Sequence, residues 1–100
     1  MNVTIQNAEG KTSVVLSGRI DTTNADQFQA DIAPLLSGEN PDIAIDCTDM
    51  EYTSSQGLRI FLMLQKSVSS RGGSMVMKNM RPQVKEVFDI TGFSNIIKII

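Results

Sequence analysis

The sequence predicts a single α/β domain: a mixed, mostly parallel sheet that begins with an antiparallel hairpin and continues through crossover helices. Three observations carry this expectation. The chain has 100 residues, enough for one hydrophobic core and too few for two. Two stretches near the start alternate apolar and polar residues with period two, and from there on helical periodicity alternates with short apolar runs. Strands interleaved with helices select parallel pairing, because parallel neighbours need a crossover and a helix is the usual one. No repeat, linker or low-complexity segment breaks the pattern, so one domain fills residues 1–100.

Each element has its own signal. "NVTIQ" (residues 2–6) and "TSVVLSGRI" (12–20) read as strands joined by a tight turn in "NAEGK". After "DTTN" the period changes: Ala25, Phe28, Ile32, Leu35 and Leu36 form a helical stripe, with Thr23 as candidate N-cap and Asp26 three residues on. Gly38 and Pro41 close that helix. "DIAIDC" (42–47) has strand length and is bounded by Pro41 and the polar run "TDMEYT". A second helix is expected from Ser55 to about Arg71, ended by "RGG", followed by a buried strand in "SMVMK". "RPQVKEVFDITGF" predicts a third helix with Pro82 in its first turn, Val84, Val87, Phe88 and Thr91 on one face, and Gly92 as its stop. "NIIKII" is the last strand.

Composition excludes several function classes. Hydrophobic residues are 41% of the chain, ordinary for a globular domain. The formal charge of −2 comes without a basic run to track a phosphate backbone, so nucleic acid is not an expected partner. No apolar segment approaches the roughly 20 residues that span a bilayer, and the start lacks a signal-peptide pattern, so a cytoplasmic protein without membrane contact is expected. There is no histidine, which removes the usual general base and most zinc sites; no metal, cofactor or catalytic residue is expected. Cys47 is the one cysteine, and its flanks offer no positive charge to activate a thiol.

The stretch "MEYTSSQGLRIFL" holds the chemistry. Ser54 and Ser55 fall between the third strand and the second helix, at the end of the sheet where ligands and partners of α/β proteins bind. One hydroxyl suffices to cap the helix, which leaves the other without a structural task. Gly57 sits in the first turn of an otherwise good helix, where it costs roughly 0.5–1 kcal/mol relative to Ala. It admits either a close partner or tight packing beneath the preceding loop. Leu58, Phe61, Leu62 and Val68 form one apolar stripe, interrupted by Gln65. Ile60, Met63 and Leu64 widen it, as a second buried surface or as a partner face.

"YTSSQGLRIFL" resembles the signature of the STAS domain, the fold of bacterial anti-sigma factor antagonists. "LSGRIDTTNADQF" resembles that family's second strand and first helix, and "NMRPQVKEVFDITGF" its third helix with the terminal Thr-Gly, so the likeness covers essentially the whole chain. Laid on the family's Asp-Ser-Ser/Thr-Gly-Leu-Gly pattern, Ser55 falls on the phosphoacceptor serine and Ser54 on the aspartate. Gln56, Gly57 and Leu58 follow, and Arg59 replaces the last glycine.

The resemblance implies a STAS-like domain that binds an anti-sigma factor with serine kinase activity and frees a sigma factor while unphosphorylated. It implies phosphorylation at Ser55, with Ser54 as the alternative, a phosphatase for reactivation, and a monomer when free. Partner contact is assigned to Asp21, Thr22, Ser54, Gln56, Gly57, Leu58, Arg59 and Met63. The alternatives are a non-switching STAS subunit of a larger assembly, in lipid transport or stress sensing, and a small-ligand module. Against the latter, no Gly-rich phosphate loop is present.

Overall fold

The turn that follows the first strand closes a tight hairpin. Glu9 and Gly10 both take positive φ, 52° and 79°, the geometry of a two-residue type I′ turn whose twist suits a hairpin. The turn joins β1 (Asn2–Ala8) to β2 (Lys11–Ile20), with Ala8 opposite Lys11. The computed structural model describes all 100 residues. After β2 come α1 (Ala25–Asp31), a 3₁₀ turn (Ala33–Leu36), β3 (Asp42–Thr53), α2 (Ser55–Ser70), β4 (Ser74–Lys78), α3 (Pro82–Ile90), a second 3₁₀ turn (Phe93–Asn95) and β5 (Lys98–Ile99).

The five strands lie in chain order, β1-β2-β3-β4-β5, with β1 antiparallel to β2 and all later pairs parallel. Each crossover steps one strand in the same direction, and right-handed connections then place every helix on one face. Burial follows that rule. Val14, Leu16, Ile43, Ile45, Met75 and Met77 are sealed beneath the helices, while Ser13, Val15, Ala44, Asp46, Val76 and Lys78 line the other face, none of them fully buried. Phe61 of α2 joins the three helices: its ring centroid lies 5.4 Å from Phe28 of α1 in an edge-on contact and 6.0 Å from Phe88 of α3.

Three expected boundaries move. The third strand does not stop at Cys47; it runs through "TDMEYT" to Thr53. The pairing of β2 with β3 skips a residue of β3 between Val15 and Ser17 and again between Gly18 and Arg19. The buried positions of β3 are therefore Ile43, Ile45, Cys47, Met50 and Thr53, a spacing of two, two, three and three. Two bulges break the alternation that would have marked a strand. At the first, Asp46 Oδ1 accepts from the Thr48 N–H at 3.0 Å and from the Thr48 hydroxyl at 2.6 Å, which holds the Asp46 carboxyl below the usual carboxylate range.

The first helix ends at Asp31, and the stripe continues through a 3₁₀ turn that carries Pro34, whose ring cannot sit inside an α-helix. Arg71, just past α2, ties that turn down by donating to the carbonyls of Leu35 and Ser37, each at 2.7 Å. The final strand shrinks to Lys98–Ile99, because the segment before it coils through Phe93–Asn95.

Truncating Phe61 to Ala removes the ring shared by all three helices. The expected cost is about 3–5 kcal/mol, a large part of the roughly 5–15 kcal/mol typical of a domain. Urea unfolding followed by circular dichroism should show the midpoint fall accordingly.

Candidate functional site

β2 and β3 end side by side, with Ile20 opposite Thr53. The next residue of each strand enters a loop, and the two loops are stitched together: the Ser54 N–H donates to the Ile20 carbonyl at 2.8 Å. Ser54 is extended (φ −80°, ψ 174°) and is the N-cap of α2; its hydroxyl accepts from the Gly57 N–H at 3.3 Å. Its carbonyl receives the first helical bond, from the Leu58 N–H at 3.0 Å. The N–H, the carbonyl and the hydroxyl oxygen of Ser54 thus all take part in the joint. Ser55, the first residue of α2, is exposed and its hydroxyl has no partner within the chain. One serine builds the corner and the other stands free on it.

Gly57 explains why the corner is so tight. A Cβ built there would collide with the Thr53 hydroxyl oxygen and lie 3.0 Å from Ile20 Cγ2, and Thr53 and Ile20 are both buried. Of the two readings open for this glycine, packing is the one the geometry supplies. Gly57 and Leu58, both assigned to partner contact, face inward. Ile60 and Leu64 do so too, at 7% and 1% exposure, so most of the apolar surplus of α2 is core. What α2 shows to solvent near its start is Ser55, Gln56 and Arg59, with Met63 half-buried one turn further.

The loop after β2 forms the other wall. Asp21 Oδ1 accepts from the Thr23 N–H at 2.9 Å and from the Thr23 hydroxyl at 2.5 Å. Those bonds keep the Asp21 carboxyl below its ordinary range, hence ionised at neutral pH. Thr23 is spent on this turn and does not cap α1. Asn24 occupies the N-cap position without making a cap bond; its side chain accepts from the Asp21 N–H and donates to the Arg19 carbonyl. Thr22 is exposed at the tip. Asp21 directly follows Ile20, to which Ser54 bonds, so the expected neighbours Asp21, Thr22, Ser54 and Ser55 do share one end of the sheet.

Between α1 and α2 runs a shallow cleft of about 170 Å³, lined by Ala25, Asp26, Gln29, Gln56, Arg59 and Ile60. Its volume is below the roughly 300–1,000 Å³ of small-molecule sites. The Gln29 amide donates weakly to Met63 Sδ at 3.9 Å across its far end. Asp26 and Gln29 were not expected as site residues; Gln29, four residues after Ala25, shares a helix face with it, whereas Asp26 gave no such signal. Cys47 is sealed in the core, where burial first and the neighbouring Asp46 charge second push its thiol up to about 12, leaving it inert. No cluster of three or more His, Cys, Asp or Glu side chains fit to hold a metal ion is formed, and no helix is long and apolar enough to cross a membrane.

A five-stranded mixed sheet with all helices on one face, and a serine corner at its carboxyl end, defines a small mixed α/β domain. The STAS domain family matches residues 2–100, and the chain belongs to that family. It is 32% identical over 99 residues to an anti-sigma-B factor antagonist of Bacillus subtilis, covering 99% of this chain and 90% of the relative. It is 30% identical to a Bordetella bronchiseptica protein named "Putative anti-sigma factor antagonist BtrV", over 99% of this chain and 85% of that one. Its fold is that of SpoIIAA, whose unphosphorylated form superposes with a TM-score of 0.79 at 18% identity, covering 99% of this chain and 88% of SpoIIAA. The phosphorylated form of SpoIIAA gives 0.72 at 16% identity, covering 99% and 91%.

The Gly57 packing makes a specific prediction. Gly57→Ala should cost about 1–3 kcal/mol through overpacking. In a Thr53→Ala background, which removes the colliding hydroxyl, the same change should cost less, a non-additivity of about 0.5 kcal/mol or more. Denaturant titrations of the four proteins of this cycle measure it; strictly additive costs would contradict the packing.

Proposed function

We propose that this chain is an anti-sigma factor antagonist whose grip on the anti-sigma factor is released by phosphorylation of Ser55. One observation carries the reading: of two adjacent serines, Ser54 is consumed by the joint between the sheet and α2, whereas Ser55 is exposed and unbonded at the first position of the helix. The names of the two relatives supply the class of partner, because both names contain "factor antagonist" with an anti-sigma target and both align over nearly the whole chain.

The unmodified domain binds through the surface around that corner. Asp21 and Thr22 contribute from the loop after β2; Ser54, Ser55, Gln56, Arg59 and Met63 contribute from the start of α2. Gly57 and Leu58 set the depth and angle of the helix from below. The anti-sigma factor is also the serine kinase. It transfers the γ-phosphoryl of ATP to Ser55 Oγ, breaking the bond to the β,γ-bridging oxygen; ADP leaves and the hydroxyl proton passes to a base on the kinase. A phosphatase reverses the state by hydrolysis.

The phosphate brings about −1.5 to −2 charge to a helix N-terminus. Free N–H groups and the helix dipole favour an anion there by roughly 0.3–2 kcal/mol, so the domain stays folded. Inside an interface the same charge loses water, at several kcal/mol unless matched by cations. Binding is lost while the scaffold survives.

Incubation with the cognate anti-sigma kinase and ATP, read by intact mass, tests the acceptor. The unmodified chain and Ser54→Ala should each gain one phosphate, and Ser55→Ala should gain none. Gain by Ser55→Ala with loss in Ser54→Ala would move the site back by one residue. In gel filtration without ATP, the unmodified chain should displace sigma factor from its anti-sigma complex; a failure to do so would overturn the function.

A further inference from the structure

The arginines of this chain are unequally employed. Arg19 stacks over the Tyr52 ring, its guanidinium carbon 4.6 Å from the centroid. Arg71 holds the carbonyls of Leu35, Ser37 and Gly38. Arg81 donates from Nε to the Thr48 carbonyl at 3.0 Å, against the bulge of β3. Arg59 alone is exposed and takes part in no hydrogen bond, ring contact or ion pair within the chain. It shares the α1–α2 cleft with Asp26, yet the two form no salt bridge; the sole ion pair of the molecule joins Lys85 and Asp89.

The position of Arg59 is as telling as its freedom. It lies four residues after Ser55 on one helix, and residues i and i+4 are neighbours on a helix surface. Helical side chains lean toward the N-terminus, so a long side chain at 59 reaches back over the turn that carries Ser55. An acidic group at i with a basic group at i+4 is the better order of the pair. The guanidinium fork matches a phosphate with two parallel N–H donors, which a lysine cannot do.

We propose that Arg59 is an internal receptor for the phosphoryl group of Ser55, swinging back one turn to hold it. The proposal rests on Ser55 being the acceptor and adds a second half to the switch. Modification then adds an anion to the partner surface and also withdraws that surface's one uncommitted guanidinium. Carboxylates on the partner that meet Arg59 in the unmodified state lose their contact in the modified one. Asp26 across the cleft and Asp21 in the loop after β2 are both acidic, so they repel the phosphate, and Arg59 is the cation of α2 placed to receive it.

The test uses phosphoserine installed at position 55 during translation, so that no kinase is involved, and follows its second ionisation by ³¹P NMR. That ionisation, about 6 for a free phosphoserine, should fall by about 0.3–0.7 unit relative to phosphorylated Arg59→Gln, since the clamp favours the dianion. Arg59→Lys should fall between. In the native chain, the Arg59 Nε–H resonance should shift on phosphorylation, which needs no variant. Equal ionisation in the native chain and Arg59→Gln, or an Arg59 signal blind to the phosphate, would overturn the clamp. Failure of the functional reading shows elsewhere, as absence of phosphate transfer by the kinase, and leaves this titration decisive.

Discussion

The site depends on one hydrogen bond and one missing methyl group. The bond from the Ser54 N–H to the Ile20 carbonyl, 2.8 Å long, locks the exit of β3 to the exit of β2. The absence of a side chain at Gly57 lets the first turn of α2 sit directly on Thr53 and Ile20. Together they fix where the helix begins and in which direction its first residue points. A bulkier residue at 57 would lift the helix away from the sheet edge, and with it Ser55, Gln56 and Arg59. The exposure of Ser55 is thus a consequence of how deeply its neighbours are buried.

In the proposed switch, that arrangement separates stability from signalling. Ser54 satisfies an orphan N–H of the helix, a contribution of about 1 kcal/mol for a typical cap, and the aromatic group of Phe28, Phe61 and Phe88 lies beneath. The side chains of Ser55 and Arg59 contribute no hydrogen bond to the fold, so chemistry at the Ser55 hydroxyl need not disturb it. In the proposed switch an anion is tolerated where the helix dipole welcomes it and is costly only when a partner tries to cover it. The same residues that cost the fold nothing are the ones free to act.

Much of this was legible in the chain. The period-two runs and helical stripes place every strand and helix, and the pairing of a capping residue with a spare hydroxyl is visible in "TSSQGL" itself. What escaped did so for physical reasons. The far half of β3 was hidden because two bulges set its buried residues at 47, 50 and 53, a spacing that resembles neither strand nor helix. Thr23 looked like a cap because a hydroxyl before a helix usually is one, but the neighbouring Asp21 carboxylate binds it first. Ile60 and Leu64 looked surplus because a single helix cannot reveal that α1 and the sheet will cover two of its sides. Arg71 gave no sign that it would brace a turn 34 residues earlier in the chain, since its bond to Ser37 exists only in the folded state.

The central claim is that charge at position 55 governs association without touching the scaffold. Its most direct measurement is isothermal titration of the anti-sigma partner with the unmodified chain and with the chain carrying phosphoserine at 55, alongside thermal unfolding of both forms. The account predicts a Kd weaker by tenfold or more, that is about 1.4 kcal/mol or more, with a Tm unchanged or a few degrees higher. Equal affinities, or a modified form whose Tm collapses, would contradict it.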